Sequence, residues 1–495
     1  MSGQVILVGA GPGDPGLLTL KGRQALEEAQ VVVYDRLVSP AILELIPSQA
    51  ERIDVGKEAS RHPVPQEQIN QILLDQAKAG KRVVRLKGGD PFLFGRGGEE
   101  LELLAEHHIP FQVVPGVTSA LAVPAYGGIP VTHRDCCSSL HIVTGHARAG
   151  KELDLDFRAL VRTRGTLVFL MGVAALPQIC AGLLAAGMDP ETPAAIVEKG
   201  TTPAQRRLSG TVADLPRLAK EHQVTSPAIS VVGGVCALAE RFDWFDALPL
   251  KGETVVVTRP RERAGTLSRR LRELGAEVWE YPCIETVPLD PCPALEEALD
   301  RLDRYAWLAF TSPAGVKTAL DALEKSGRDV RALAPVRLAA LGPGTARALK
   351  RSGLRADYVP QVYDAAHLGR GLAERARGRV LILRAQLGSP DLTQALEHGN
   401  IPYDDVAIYA TRWENQRAPA LRQALEEGKV RWVTFTSAST VRGFAASVGE
   451  DFAFSRVRGA CIGPQTAAEA ERYGIRTAVA EQATIEALVN LILEK

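Results

Sequence analysis

The stretch "LVGAGPGDPGLLTLKG", residues 7 to 22, closes a strand-like run with Gly11, Gly13 and Gly16 in the spacing G-x-G-x-x-G. An acid, Asp35, follows about twenty residues later, as in a dinucleotide fold. Pro12 and Pro15, however, carry no N–H, and Asp14 puts a negative charge where a pyrophosphate would lie. The chemistry that remains is close backbone approach to a ligand without phosphates, with dinucleotide binding and a plain tight turn as the alternatives. A second bare backbone, Gly88-Gly89, precedes Asp90 in "RLKGGDPFL"; the glycines admit a ligand, and the carboxylate accepts from amino or hydroxyl groups. Asp35 beside Arg36 offers either a proton acceptor or an ion pair. Arg36, Lys57, Arg85, Lys87, Arg96 and Arg134 supply cations on or beside these segments.

These residues must be placed by elements, and the chain alternates strand-like and helical stretches almost throughout: "QVILVG", "VVVYD", "RVVRLKGGDP", "SLHIVTGH", "TLVFLMG" and "PAISVVGG". This is an α/β pattern, with parallel strands expected over the first hundred residues or so. Most of the runs end in Gly, Asp or His, at the carboxyl ends where such sheets bind ligands.

With 495 residues the chain is long enough for several domains, and its 58 basic and 58 acidic residues cancel. Zero formal charge, and no basic stretch interleaved with aromatics, argue against a nucleic-acid partner. The seven cysteines form no C-x-x-C pair and the nine histidines no metal spacing, so neither a disulfide framework nor a metal is expected, and a reducing cytoplasm fits. No signal peptide is expected at the N-terminus. The uncharged stretches 113–132 and 166–188 are broken by proline and glycine and read as buried core rather than membrane spans.

Near "FDWFDALPLKGETVVVTRP" one core ends and another begins, which places a boundary at 247–252. Beyond it lies a repeat. "WLAFTSPAGV" at Trp307 returns as "WVTFTSASTV" at Trp432, "ALGPGTARAL" returns as "CIGPQTAAEA", and "ETVVVTR" returns as "RVLILRA". Two related α/β modules are implied, and their period is too long for a solenoid. Matching hydroxyls and helix-start N–H groups are expected to line a cleft between the modules and to hold anionic groups there.

Residues 1–247 resemble the uroporphyrinogen-III C-methyltransferases, through "VGAGPGDPGLLTLKG", "VVYDRLV", "VGK", "RLKGGDPFLFGRGGEE", "VVPGVTSA", "GIPVTHRD", "VTGH" and "VEKGT" in order. The resemblance implies the tetrapyrrole methylase fold, a homodimer, and S-adenosylmethionine (SAM) as co-substrate. Its SAM contacts map to Pro12, Gly88, Gly89, Asp90, Leu93, Thr118, Ser119, Met171 and Gly200. It also implies Asp35 as proton acceptor and Lys57 as donor, and the six basic residues fit a substrate with many carboxylates. A plain ion pair for Asp35 and a carboxylate anchor for Lys57 remain alternatives.

Residues 252–495 resemble uroporphyrinogen-III synthase, through "TRP", "FTSPAGV", "GPGTARAL", "VYDAAHL", "IYATR", "FTSAS" and "IGPQTA". That family's two α/β domains imply 252–285 plus 416–495 as one and 289–410 as the other. Tyr409 matches the family's candidate for assisting loss of the bilane hydroxyl, and equally fits a strand-end core aromatic. Thr311, Ser312, Ser437 and Thr466 match cleft-lining positions. The implied enzyme cyclises hydroxymethylbilane to uroporphyrinogen III and methylates it twice to precorrin-2, on the way to siroheme or cobalamin. The rival readings are an NAD-dependent oxidoreductase, a methylase of the same fold acting on RNA or protein, and a tetrapyrrole-binding protein without turnover.

Overall fold

The computed structural model describes residues 3–47, 49–56, 64–145, 153–259, 261–413, 418–449 and 451–494. The chain forms two compact units, Met1–Glu253 with Leu271–Glu277, and Thr254–Arg270 with Val278–Lys495.

The first unit carries two five-stranded sheets. One is built from β1 (Gln4–Gly9), β2 (Val31–Tyr34), β3 (Glu51–Asp54), β4 (Arg82–Lys87) and β5 (Phe111–Val114), in the order β3-β2-β4-β1-β5. Every neighbouring pair is parallel. The near-continuous apolar run of β1 has a physical cause: Ile6 and Val8 enter one core, Val5 and Leu7 another, so both faces are covered. The other sheet uses β6 (Leu140–Thr144), β7 (Thr166–Leu170), β8 (Pro193–Glu198), β9 (Arg206–Thr211) and β10 (Ala228–Val232). Its order is β6-β7-β10-β8-β9, and β10 runs antiparallel to β7 and β8.

The second unit contributes β11 (Thr254–Val257), β12 (Glu277–Glu280), β13 (Ile284–Pro288), β14 (Tyr305–Phe310) and β15 (Arg337–Ala340). It continues with β16 (Arg379–Ala385), β17 (Tyr403–Trp413), β18 (Trp432–Phe435), β19 (Arg458–Cys461) and β20 (Arg476–Val479). Two sheets result, β12-β11-β18-β19-β20 and β13-β17-β16-β14-β15. The sequence repeat maps strand onto strand: β11, β18 and β19 adjoin in one sheet as β16, β14 and β15 do in the other. Alternation again feeds two cores, with Leu308 and Phe310 in one and Trp307 and Ala309 in the other. Among the described residues no helix is long and apolar enough to cross a membrane.

Candidate functional site

In the first unit the loops after β1, β4 and β5 pass one another backbone to backbone. Gly11 and Gly89 exchange hydrogen bonds, the Gly89 N–H donating to the Gly11 carbonyl at 2.8 Å and the Gly11 N–H to that of Gly89 at 3.1 Å. A Cβ on Gly9 would lie 2.5 Å from the Gly116 Cα, so both glycines are needed for the crossing. Asp90 locks it. One carboxylate oxygen accepts from the Phe92 and Leu93 N–H groups at 2.9 and 3.1 Å, and the other from Gly116 at 3.0 Å. Thr118 caps the helix Ser119–Tyr126, its hydroxyl accepting from the Ala120 N–H.

The glycines expected to meet a ligand differ in their surroundings. Gly89 has φ +70°, and the nearest atom to a Cβ there is the Ser119 nitrogen at 3.9 Å, so the space beside it is open. Gly88 is closed by Leu37, and Gly200 lies against the Val123 side chain. Their lack of a side chain serves packing. Pro12 and Leu93 are half-buried, Leu93 against the core of the second sheet. Met171, directly after β7, is half exposed at φ +55°, a conformation uncommon outside glycine.

Asp35 follows β2; one of its oxygens accepts from the Leu37 N–H at 3.1 Å, and the other pairs with Arg85 at 3.5 Å. Lys57, its expected proton-donating counterpart, lies outside the described residues. The basic residues divide into two groups. Arg36, Arg96 and Arg134 are exposed, and Arg96 forms a forked pair with Glu99. Arg85 and Lys87, also expected to contact substrate carboxylates, are buried. Both donate to Glu100, a carboxylate with no exposed surface, at 3.1 and 2.8 Å. The cause is that both faces of β4 are covered: positions 85 and 87 share one face with Val83, Val84 and Leu86 fill the other, and the buried cations need an internal anion. Burial and the neighbouring Arg85 lower the pKa of Lys87, against the pull of Glu100.

In the second unit Tyr409 and Ser312 meet. Their hydroxyls share a hydrogen bond of 2.8 Å, and Ser312 also accepts from the Gly315 N–H as cap of the helix Pro313–Lys325. Tyr409 is only 7% exposed. Thr311 is half-buried beside Ser312. Ser437, the repeat's counterpart of Ser312, caps Ala438–Val448 through a reciprocal box with Thr440 and meets Ser439 at 2.9 Å. Thr466 is buried, as is Thr345 at the matching place in the repeat. Thr466, expected to line a cleft, lies on the buried face of the helix Pro464–Arg472 that Gly463 opens.

The comparisons with known proteins follow this geometry. Residues 4–216 match the family Tetrapyrrole (Corrin/Porphyrin) Methylases, and residues 265–490 match Uroporphyrinogen-III synthase HemD. The porphyrin biosynthesis protein HemD of Ruminiclostridium josui is 50% identical over 494 residues, which cover 99% of this chain and 98% of that protein. The chain belongs to this family of methylase–synthase fusions. It is a bifunctional enzyme of tetrapyrrole biosynthesis, with a uroporphyrinogen-III C-methyltransferase domain and a uroporphyrinogen-III synthase domain. A siroheme synthase of Pseudomonas fluorescens (strain Pf0-1) is 58% identical over 245 residues, 50% of this chain and 53% of that protein. The chain thus spans about half the length of the siroheme synthases it matches. The crystal structure of a uroporphyrin-III C-methyl transferase from Thermus thermophilus, complexed with S-adenyl homocysteine, is 43% identical. It covers 48% of this chain and 99% of its own, with a TM-score of 0.42.

Several residues of the fusion's first half escape a reading of the sequence, Glu100, Tyr126, Thr201 and Gln205 among them. For Glu100 a signal was present: two cations at alternating positions of a buried strand demand a counter-ion. Tyr126 has its side-chain partner 112 positions away, and Thr201 and Gln205 are bonded to each other and to distant segments.

Proposed function

We propose that residues 252–495 cyclise hydroxymethylbilane to uroporphyrinogen III and that residues 1–247 methylate it twice, with SAM as methyl donor, to precorrin-2. The observation that carries the methylation is Gly89, with a left-handed backbone and open space, set where three strand-end loops converge. Bare backbone suits a ligand that lies flat against the chain and asks for no phosphate donors. SAM supplies an electrophilic methyl group on a sulfonium, and a pyrrole carbon of the substrate attacks it. The methylated ring must then lose a proton. Asp35, at the carboxyl end of β2 and held by Arg85, is the acceptor this reading assigns.

In the synthase half, Tyr409 assists departure of the bilane hydroxyl. The Ser312 contact orients the phenol and supports this assignment. The exposed Arg36, Arg96 and Arg134 bind substrate carboxylates. We further propose that the protein is cytoplasmic and dimerises through its methyltransferase half, which light scattering of the full chain and of residues 1–247 would test.

The deciding experiment supplies the full chain with hydroxymethylbilane and SAM and determines product mass and isomer. The expected product carries two added methyl groups on the inverted isomer. Unmethylated product, or the uninverted isomer alone, would overturn the corresponding half of the proposal.

A further inference from the structure

Asp14, the acid that makes the glycine turn unfit for phosphate, has a different partner. Its Oδ2 accepts from the Tyr126 hydroxyl at 2.6 Å, across 112 residues of sequence. The Tyr126 carbonyl accepts from Gln205 Nε2 at 3.0 Å, and Gln205 Oε1 accepts from the Thr201 N–H at 2.8 Å. Thr201 Oγ1 accepts in turn from the Asp14 N–H at 3.3 Å. These four bonds close a ring.

The members of the ring sit on different loops. Asp14 belongs to the glycine turn after β1. Tyr126 ends the helix that Thr118 and Ser119 begin. Thr201 directly follows Gly200. The first two segments thus contribute one member each and the third contributes Thr201 and Gln205, with Gln205 tying it to Tyr126. The ring is also rigid. Thr201 and Gln205 are buried, and Thr201 is held at φ +64°, a strained conformation for a β-branched residue. The Tyr126 ring packs on Trp244 and Phe245 with centroids 4.9 and 4.8 Å away. Burial, then the Asp14 carboxylate, push the phenol pKa far above its usual value, so it stays a donor. The second Asp14 oxygen accepts from the Gly16 N–H at 2.7 Å, which fixes the carboxylate from the other side.

We propose that this Asp14–Tyr126–Gln205–Thr201 ring sets the spacing of the SAM-binding loops, which makes Tyr126 and Gln205 positioning residues for SAM. The inference rests on the SAM reading given above. A ligand that meets loops already in place loses less free energy to ordering them, so opening the ring weakens SAM binding without removing any contact to it.

The test uses the full chain and S-adenosylhomocysteine as a calorimetric probe. Tyr126→Phe keeps the aromatic packing and removes the donor to Asp14. We expect affinity to fall about tenfold, the usual scale for a hydrogen bond to a charged group. In turnover the change should fall on KM for SAM, with the tetrapyrrole KM and kcat at saturating SAM held within about twofold. Asp14→Asn, which keeps a neutral acceptor for the phenol, should weaken binding less than Tyr126→Phe, and it tests the ring should the other variant fail to fold. If the wild type binds the probe and both variants bind it equally well, the ring has no positioning role. A matching rise in the tetrapyrrole KM would mark general loosening and also overturn the inference. If the wild type does not bind the probe, the SAM reading itself falls.

Discussion

In the first unit the chemistry-bearing side chains are held by charge: Asp90 takes three backbone donors, Glu100 takes Arg85 and Lys87, and Asp14 takes Tyr126 and Gly16. In the second unit the comparable positions are hydroxyls at helix starts, Ser312 and Ser437, each accepting from the first turn of its own helix. The difference matches the two tasks. Methyl transfer needs a small co-substrate and a ring brought into line, so long-range ionic hydrogen bonds hold loops from distant parts of the chain. Ring closure needs a flexible bilane held folded, for which short-range hydroxyls and helix-start N–H groups on two related frames suffice.

The hardest test of the contrast is Gly89→Val. A branched side chain at φ +70° is strained and fills the open space, so SAM binding should be lost in calorimetry while bilane cyclisation continues. SAM affinity equal to wild type would remove the loop crossing from the cofactor site. Next comes Glu100→Ala, which leaves Lys87 buried without the carboxylate it donates to and Arg85 with the longer Asp35 contact. Denaturant unfolding of the methylase unit should show a loss of about 3–5 kcal/mol, and a loss below about 1 kcal/mol would mean that water replaces the carboxylate.

Tyr409→Phe sharpens the picture on the other side. If the phenol assists the leaving hydroxyl, formation of the inverted isomer should slow by about 10²-fold or more. The bilane also closes without enzyme, to the uninverted isomer, so isomer ratio must be followed with total porphyrinogen. A wild-type rate would reduce this half to a positioning cleft. The smallest effect separates the two repeats. Ser437→Ala should cost only its cap, about 1 kcal/mol, with little change in turnover, whereas Ser312→Ala removes a similar cap and also the partner of Tyr409. Equal kinetic effects from the two would erase the asymmetry between the repeats.

The architecture was legible because many buried strands announce themselves: "VVVY" and "TLVFL" are apolar runs, and "VVVY" and "RVVRLK" stop at an acid and a glycine. The repeat was legible too, since the same words recur around β14 and β18. Within the site, Gly89, Asp90 and Asp35 could be singled out because they follow strand-like runs, where such sheets bind ligands, and lie in motifs that carry the resemblance. Side-chain direction was not legible. Arg85 and Lys87 look like any cations beside a ligand loop until the helix Gly97–Glu106 brings Glu100 to them, and the burial of Thr466 shows only once its helix is placed. Tyr126 leaves no local trace, because its partner Asp14 is 112 positions away, and Gln205 bonds locally to Thr201 but reaches the Tyr126 carbonyl across 79 positions.

The contact between Tyr409 and Ser312 has a consequence for how a substrate enters. The phenol is almost fully enclosed and its hydroxyl shares a hydrogen bond with Ser312, so an incoming oxygen that accepts the phenol proton competes with Ser312 for it when the phenol is the donor. Such a trade replaces one hydrogen bond with another of similar strength, and its net free energy is small. Ser312 is not stranded afterwards, because the Gly315 N–H still donates to it. If Tyr409 has the role proposed above, the serine would act as a stand-in for the departing group, keeping the phenol aimed between turnovers and yielding at little cost when the bilane arrives.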